Sequence, residues 1–179
     1  MKSHLRILLT IPLLFSCTGQ SLQQVYDAQE KKIDTFVTAQ TKDGQRVEYN
    51  GGSVRIVLQE GTGDELLAPK GTVSFYYAGY VFSGSSLSRN NLFATNSKDV
   101  ADAAGWTLSD ESVYAVTTVS LDEEDLLKGL QNGLVGVRPG EECLILFSGK
   151  YGYGKKAAGT IPPKSALAYQ IWVESISND

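Results

Sequence analysis

Apolar side chains recur at every second position in four stretches of this chain: Val54, Ile56 and Leu58; Val73, Phe75 and Tyr77; Cys143, Ile145 and Phe147; and Leu167, Tyr169, Ile171 and Val173. Successive side chains of a strand point to opposite faces of its sheet, so this period marks the four stretches as strands. Gly61-Thr62-Gly63-Asp64 and Pro139-Gly140 supply turns between them. The period changes once in this region, where Leu127, Leu130, Leu134 and Val137 fall three or four residues apart and predict a short helix between Leu126 and Val137. The expectation is an α+β domain dominated by strands. With 179 residues, 42% of them hydrophobic, the chain is long enough to bury one sizeable core.

The first residues read as a targeting signal to be kept out of the fold. Lys2 and Arg6 give a positive start, Ile7 to Phe15 an apolar run broken by Thr10 and Pro12, and Leu14-Phe15-Ser16-Cys17 follows. That ending resembles a bacterial lipobox, which implies cleavage before Cys17 and diacylation of its sulfur. The alternative is a simple secretory leader with an incidental cysteine. The run falls short of the roughly 20 residues a spanning helix needs, so the membrane partner is expected through acylated Cys17, not through a transmembrane segment. The resemblance places the protein in the cell envelope, lipid-anchored; Thr18 after Cys17, where Asp would act as a retention residue, suits the outer membrane, facing periplasm or surface.

Removal of residues 1–16 leaves 14 basic residues against 20 acidic ones, which disfavours a nucleic-acid partner. It also removes His4, the only histidine. Ser-His-Asp and Cys-His catalysis are thereby excluded from the processed chain, as is every metal site that needs imidazole. No cofactor and no metal is expected. With Cys17 acylated, Cys143 is the remaining thiol and no intramolecular disulfide can form. Its strand-like setting beside Glu141 and Glu142 favours a buried structural thiol over a reactive one.

Residues 17–50 are expected to be an N-terminal helical spacer. Leu22, Val25, Tyr26, Ile33, Phe36 and Val37 form a stripe at helical spacing, and Asp27 precedes Lys31 by four residues, an ion-pair spacing. The stripe could dock on the following domain or on a second copy of itself.

Residues 51–179 carry a set of segments in one order. Gly61-Thr62-Gly63 comes first, then Val73-Ser74-Phe75-Tyr76-Tyr77-Ala78-Gly79. Leu126-Leu127-Lys128-Gly129-Leu130, Gly133-Leu134 and Gly136-Val137-Arg138-Pro139-Gly140-Glu141 follow. Tyr151-Gly152-Tyr153-Gly154, Ile161-Pro162-Pro163-Lys164-Ser165-Ala166-Leu167 and Tyr169 complete it. The set resembles the FKBP family of peptidyl-prolyl cis-trans isomerases. The resemblance implies an FKBP-like twisted antiparallel β half-barrel wrapped around one short helix, with an apolar pocket between them. It implies isomerisation of X-Pro bonds in unfolded or secreted polypeptides.

By position, the resemblance makes Tyr77, Phe93, Leu127 and Tyr153 catalytic and Leu126, Leu130, Ile161 and Tyr169 substrate-binding. In the family the Leu127 position donates its backbone N–H to a substrate carbonyl, and the Tyr153 hydroxyl contacts another. Read as residues alone, aromatics at alternate strand positions could equally fill a core; that reading is adopted for Phe75, Phe147 and Leu167. Phe93-Ala94-Thr95-Asn96 stands where the family has Phe-Asp-Ser-Ser, and Leu130 where many members have Trp. Phe93 and Leu126 lie 33 positions apart, which implies an insertion around 97–115 that could cover or reshape the pocket. Tyr114, Val116 and Val119 are candidates for a further pocket position in this stretch. The rival to an enzyme is a chaperone-like module that uses the same pocket to hold chain segments, or a structural lipoprotein using only the fold.

Overall fold

The period-two stretches are neighbours in one antiparallel sheet. The computed structural model describes residues 21–41, 44–84, 86–107 and 110–179; Cys17 and the leader lie outside them. The strands are β1 (Val47–Asn50), β2 (Ser53–Gln59), β3 (Thr72–Val81), β4 (Leu92–Thr95), β5 (Thr117–Ser120), β6 (Glu142–Phe147) and β7 (Leu167–Ser177). The helices are α1 (Leu22–Gln40), α2 (Lys98–Ala104) and α3 (Lys128–Leu134). The sheet runs β1-β2-β6-β7-β3-β4, and β5 also pairs with β3. β7 follows one edge of β3 along its length. The opposite edge is shared, β5 taking Thr72 to Phe75 and β4 taking Ala78 to Tyr80.

Alternation gives the sheet two apolar faces. On the first, Val73, Phe75, Cys143, Ile145, Phe147, Leu167, Ile171 and Val173 meet Leu130 and Leu134 of α3 in the main core. Gly129 and Gly133 allow the close approach: a Cβ at Gly129 would overlap the Phe147 ring, and one at Gly133 the Ile145 side chain. α3 lies within the stretch between Leu126 and Val137 that its leucines marked. Leu127 is extended, with φ −53° and ψ 131°, and forms the N-cap; beyond Leu134 the chain turns through Gly136 at φ +82°.

The second face presents Val54, Ile56, Leu144, Leu146 and Ala168, which would be wet without a cover. α1 supplies it. Ile33, Phe36 and Val37 pack there, and the Phe36 ring meets Phe82 edge-on at 5.3 Å. A capping box starts the helix, with Ser21 Oγ accepting from the Gln24 N–H and Gln24 Oε1 from the Ser21 N–H. Of the two fates open to the stripe, it docks on its own domain. Asp27 takes a hydrogen bond from Gln23 at 2.7 Å instead of pairing with Lys31.

Val47–Asn50, assigned to the spacer, is the first strand of the sheet, joined to β2 by Gly51 and Gly52 at φ +55° and +88°. Such a left-handed pair suits a two-residue hairpin. The described residues of the insertion do not line the cavity on the main core's side. Val100, Ala104 and Trp106 pack with Ala78, Tyr80, Leu92 and Trp172, which alternate away from it.

Polar residues of β2 fasten α3 to the sheet. Ser53 Oγ donates to the Gly129 carbonyl at 2.7 Å; Arg55 Nη1 donates to the Gly133 and Val135 carbonyls at 3.0 and 2.8 Å, and Nη2 to Gly136 at 3.3 Å. The end of a helix leaves carbonyls without partners, and a guanidinium satisfies several at once. Glu141, fully buried, faces Arg55 Nε at 3.2 Å without an aligned hydrogen bond and lies 3.3 Å from Arg46, which also holds Glu48 and Glu60 at the surface. Burial pushes the Glu141 carboxyl up, and the two guanidiniums oppose it. Burial, then the charge of Glu141, raises the Cys143 thiol far above its ordinary range, as expected of a structural cysteine.

Candidate functional site

Between the start of α3 and the β3-β4-β5 end of the sheet lies an open cavity of about 260 Å³. β3 contributes Phe75 and Tyr77, β4 Phe93 and Ala94, and β5 Thr117 and Val119. The approach to α3 contributes Asp125, Leu126 and Leu127, with Leu130, Tyr153 and Tyr169 completing the wall. Tyr169 is the hub: its ring lies 5.7 Å from Phe93 edge-on, 6.2 Å from Tyr77, and stacks on Phe147 at 6.0 Å. Gly79 makes room for this packing. A Cβ there would come within 2.7 Å of the Phe93 ring and 3.1 Å of the Tyr169 ring.

The loop bearing Tyr153 is held from two sides. The Gly129 N–H donates to the Tyr151 carbonyl at 2.8 Å, tying the loop to α3, while the Gly154 N–H closes a turn onto Gly149 at 2.9 Å. From the other side of the sheet, Gln29 accepts from the Gly149 N–H at 2.9 Å and donates to the Lys164 carbonyl, and Glu30 accepts from Ser148. Tyr153 itself remains 37% exposed. The Leu127 N–H, at the N-cap, has no hydrogen-bond partner among the described residues, as the geometry of a helix start dictates. Burial raises the Tyr77 and Tyr169 hydroxyls, with Tyr153 adding to the effect, so both stay protonated donors at neutral pH.

Seven of the eight positions singled out in the sequence therefore meet in one place: Tyr77, Phe93, Leu126, Leu127, Leu130, Tyr153 and Tyr169. Ile161 does not reach the cavity wall. It is buried beside it in the main core, where its backbone N–H and carbonyl bond Ala158 at 2.9 and 3.1 Å. Phe75, assigned to the core, serves both core and cavity. Of Tyr114, Val116 and Val119, Val119 lines the cavity, together with Thr117 of the same strand. Tyr114 instead lies under the Lys98 ammonium at 4.9 Å, and Val116 faces outward.

Two residues were missed. Asn96 is buried and fills the gap where β4 and β5 part: its Oδ1 accepts from the Tyr77 N–H at 2.6 Å, while Nδ2 donates to the Phe75 and Ala115 carbonyls and to Thr117 Oγ1. It thereby sets the spacing of three cavity walls. A lone Asn after a strand usually marks a turn, so nothing in the sequence singled it out. Asp125 is the single charged residue of the wall. Among the described residues no cluster of His, Cys, Asp and Glu is placed to hold a metal, and no helix is long and apolar enough to cross a membrane.

A profile of the family described as FKBP-type peptidyl-prolyl cis-trans isomerase matches residues 63–174. FK506-binding protein 59 of Drosophila melanogaster is 28% identical over 138 residues, a match covering 72% of this chain and only 26% of that protein. FK506-binding protein 1 of Aspergillus oryzae is 25% identical over 120 residues, covering 67% of this chain and 94% of the other. Among solved structures, a peptidyl-prolyl cis-trans isomerase from Pseudomonas syringae superposes with a TM-score of 0.58 at 19% identity, covering 90% of this chain and 99% of that one.

Proposed function

Since the chain belongs to the FKBP-type peptidyl-prolyl cis-trans isomerase family, we propose that its aromatic cavity receives the proline of an X-Pro bond and speeds rotation about that bond. The observation that carries this reading is the meeting of aromatic and leucine side chains around an unpartnered backbone donor, the Leu127 N–H, with the Tyr153 hydroxyl nearby. A proline ring offers hydrocarbon surface, which such walls hold by burial. The barrier to rotation, roughly 18–20 kcal/mol, comes from amide resonance. Water stabilises the polar planar amide through its carbonyl, so a dry pocket weakens the resonance. Donors that hold neighbouring carbonyls in the twisted form lower the barrier further. No nucleophile, metal or cofactor is needed.

A reduction of about 4 kcal/mol would give on the order of a thousandfold acceleration. NMR-exchange or protease-coupled isomerisation of a Leu-Pro peptide tests it, using the chain from Thr18 onward and its Phe93→Ala and Tyr153→Ala variants. A large gain in the parent that falls at least tenfold in both variants is expected. A parent rate no faster than the uncatalysed value of about 0.01–0.1 per second would overturn the catalytic reading. It would favour the alternative of a holding module, for which Ala94 in place of a carboxylate and Leu130 in place of Trp are the supporting observations.

We propose further that the substrates are unfolded or secreted polypeptides of a bacterial cell envelope, reached by a protein tethered through acylated Cys17. The support is the order of charged start, apolar run and Leu14-Phe15-Ser16-Cys17. Expression of the full chain in a bacterium with labelled palmitate checks it. Label and membrane fractionation that both disappear in Cys17→Ser are expected, and an unlabelled parent would remove the anchor.

A further inference from the structure

We propose that Asp125 selects the substrate, favouring X-Pro segments that carry Lys or Arg next to the proline; this rests on the reading of the cavity as a proline site. The wall is otherwise neutral, so Asp125 is the one charge that a peptide seated in the cavity meets on the wall itself. Ala94 offers no charge of its own there. The carboxylate is also unspent. Of its acidic neighbours, Asp122 accepts from Ser120 Oγ at 2.5 Å and Glu123 from the Ser120 N–H at 3.0 Å; Glu124 and Asp125 have no hydrogen bond or ion pair among the described residues, and of the two Asp125 lines the cavity. The nearest base in the chain, Lys128, is turned to Gln131.

Asp125 is held in this position by the turn that closes when the Leu126 N–H donates to the Glu123 carbonyl at 3.3 Å. It stands two residues before Leu127, whose N–H is the free donor of the site. An extended substrate advances roughly 3.3–3.6 Å per residue, so a peptide bonded at Leu127 carries a flanking side chain past Asp125. An ammonium or guanidinium at that point gains a charge partner at the water boundary, and a carboxylate meets repulsion. Both effects are modest and screened by salt.

Four peptides differing in one residue, Lys-Pro against Glu-Pro and Pro-Lys against Pro-Glu, decide the matter together with the Leu-Pro peptide. Exchange rates and chemical-shift titrations are measured on the parent, Asp125→Asn, Asp125→Lys and Asp34→Asn. Asp34 lies on α1, across the sheet from the cavity, and its variant removes the same charge from the molecule. The expected result is a Lys preference on the order of threefold to tenfold in kcat/KM at one of the two flanks. It should fall toward unity in Asp125→Asn, invert in Asp125→Lys, shrink with added salt and persist in Asp34→Asn.

A preference that survives Asp125→Lys, or that Asp34→Asn lowers as much as Asp125→Asn does, overturns the inference. If Leu-Pro and all four peptides bind without acceleration, the enzyme reading fails by itself, and the same ranking of dissociation constants across the variants upholds or overturns the role of Asp125. Absence of binding by any peptide overturns both.

Discussion

Glu141→Ala is expected to lower the unfolding free energy by about 3–5 kcal/mol, the cost of stranding one member of a buried ion pair. Arg55 is 4% exposed and Glu141 not at all, so the substitution leaves a guanidinium inside the domain with only carbonyls around it. Glu48 and Glu60 do not replace the lost carboxylate, because Arg46 holds them at the surface at 2.8 and 2.9 Å. Urea unfolding followed by circular dichroism measures the loss at unchanged slope. Glu60→Gln, at the exposed end of the same network, should change little. A loss under about 1 kcal/mol in Glu141→Ala would mean that the Gly133, Val135 and Gly136 carbonyls suffice for Arg55. The effect should extend to the cavity, since Arg55 fixes the end of the helix whose beginning presents Leu127.

Phe36→Ala should cost about 3–5 kcal/mol through the cavity it leaves between α1 and the sheet. Phe36 is 7% exposed and sits against Phe82 and the Leu144-Leu146 face. The same helix holds the Tyr153 loop through Gln29 and Glu30, so the damage is not confined to the far side of the sheet. Hydrogen exchange separates the two consequences. The Gly149 amide, which donates to Gln29, should exchange much faster in the variant, while Ile145 and Ile171 amides in the central strands report only global unfolding. A variant that melts like the parent, with Gly149 equally protected, would show that α1 is dispensable to the domain.

How much of this was legible beforehand depends on what kind of signal each part leaves. Strands β2, β3, β6 and β7 declare themselves through apolar residues at every second position, although β2 and β6 are buried on both faces, and the leucines of α3 do so at helical spacing. β1 does not. It has four residues, three of them exposed, so no alternation is required of it. The stripe of α1 was readable as apolar, but a stripe says only that something covers it; the sheet's second face, made of Val54, Ile56, Leu144 and Leu146, supplies the cover. The cavity was legible where side chains are large and apolar. Asp125 and Asn96 were not, since one charge in an acidic run and one amide after a strand look like ordinary surface. Ile161 shows the opposite limit: its position in a motif was clear, yet a single isoleucine can face a cavity or the core beside it.

The hairpin strand β1 has one further consequence. It ends the sheet, so its outward N–H and C=O groups have no strand to pair with, which is the arrangement that invites another chain to add itself. Here the invitation is short. The free edge is four residues long, Glu48 projects beside it with Arg46 and Glu60 close by, and Gly51-Gly52 turn the chain away immediately afterwards. A visiting segment would gain only a few hydrogen bonds and would meet fixed charges. At this edge, a protein whose proposed work brings it among unfolded polypeptides offers them little backbone to pair with, and the proposed site for such chains is the cavity at the opposite end of the sheet.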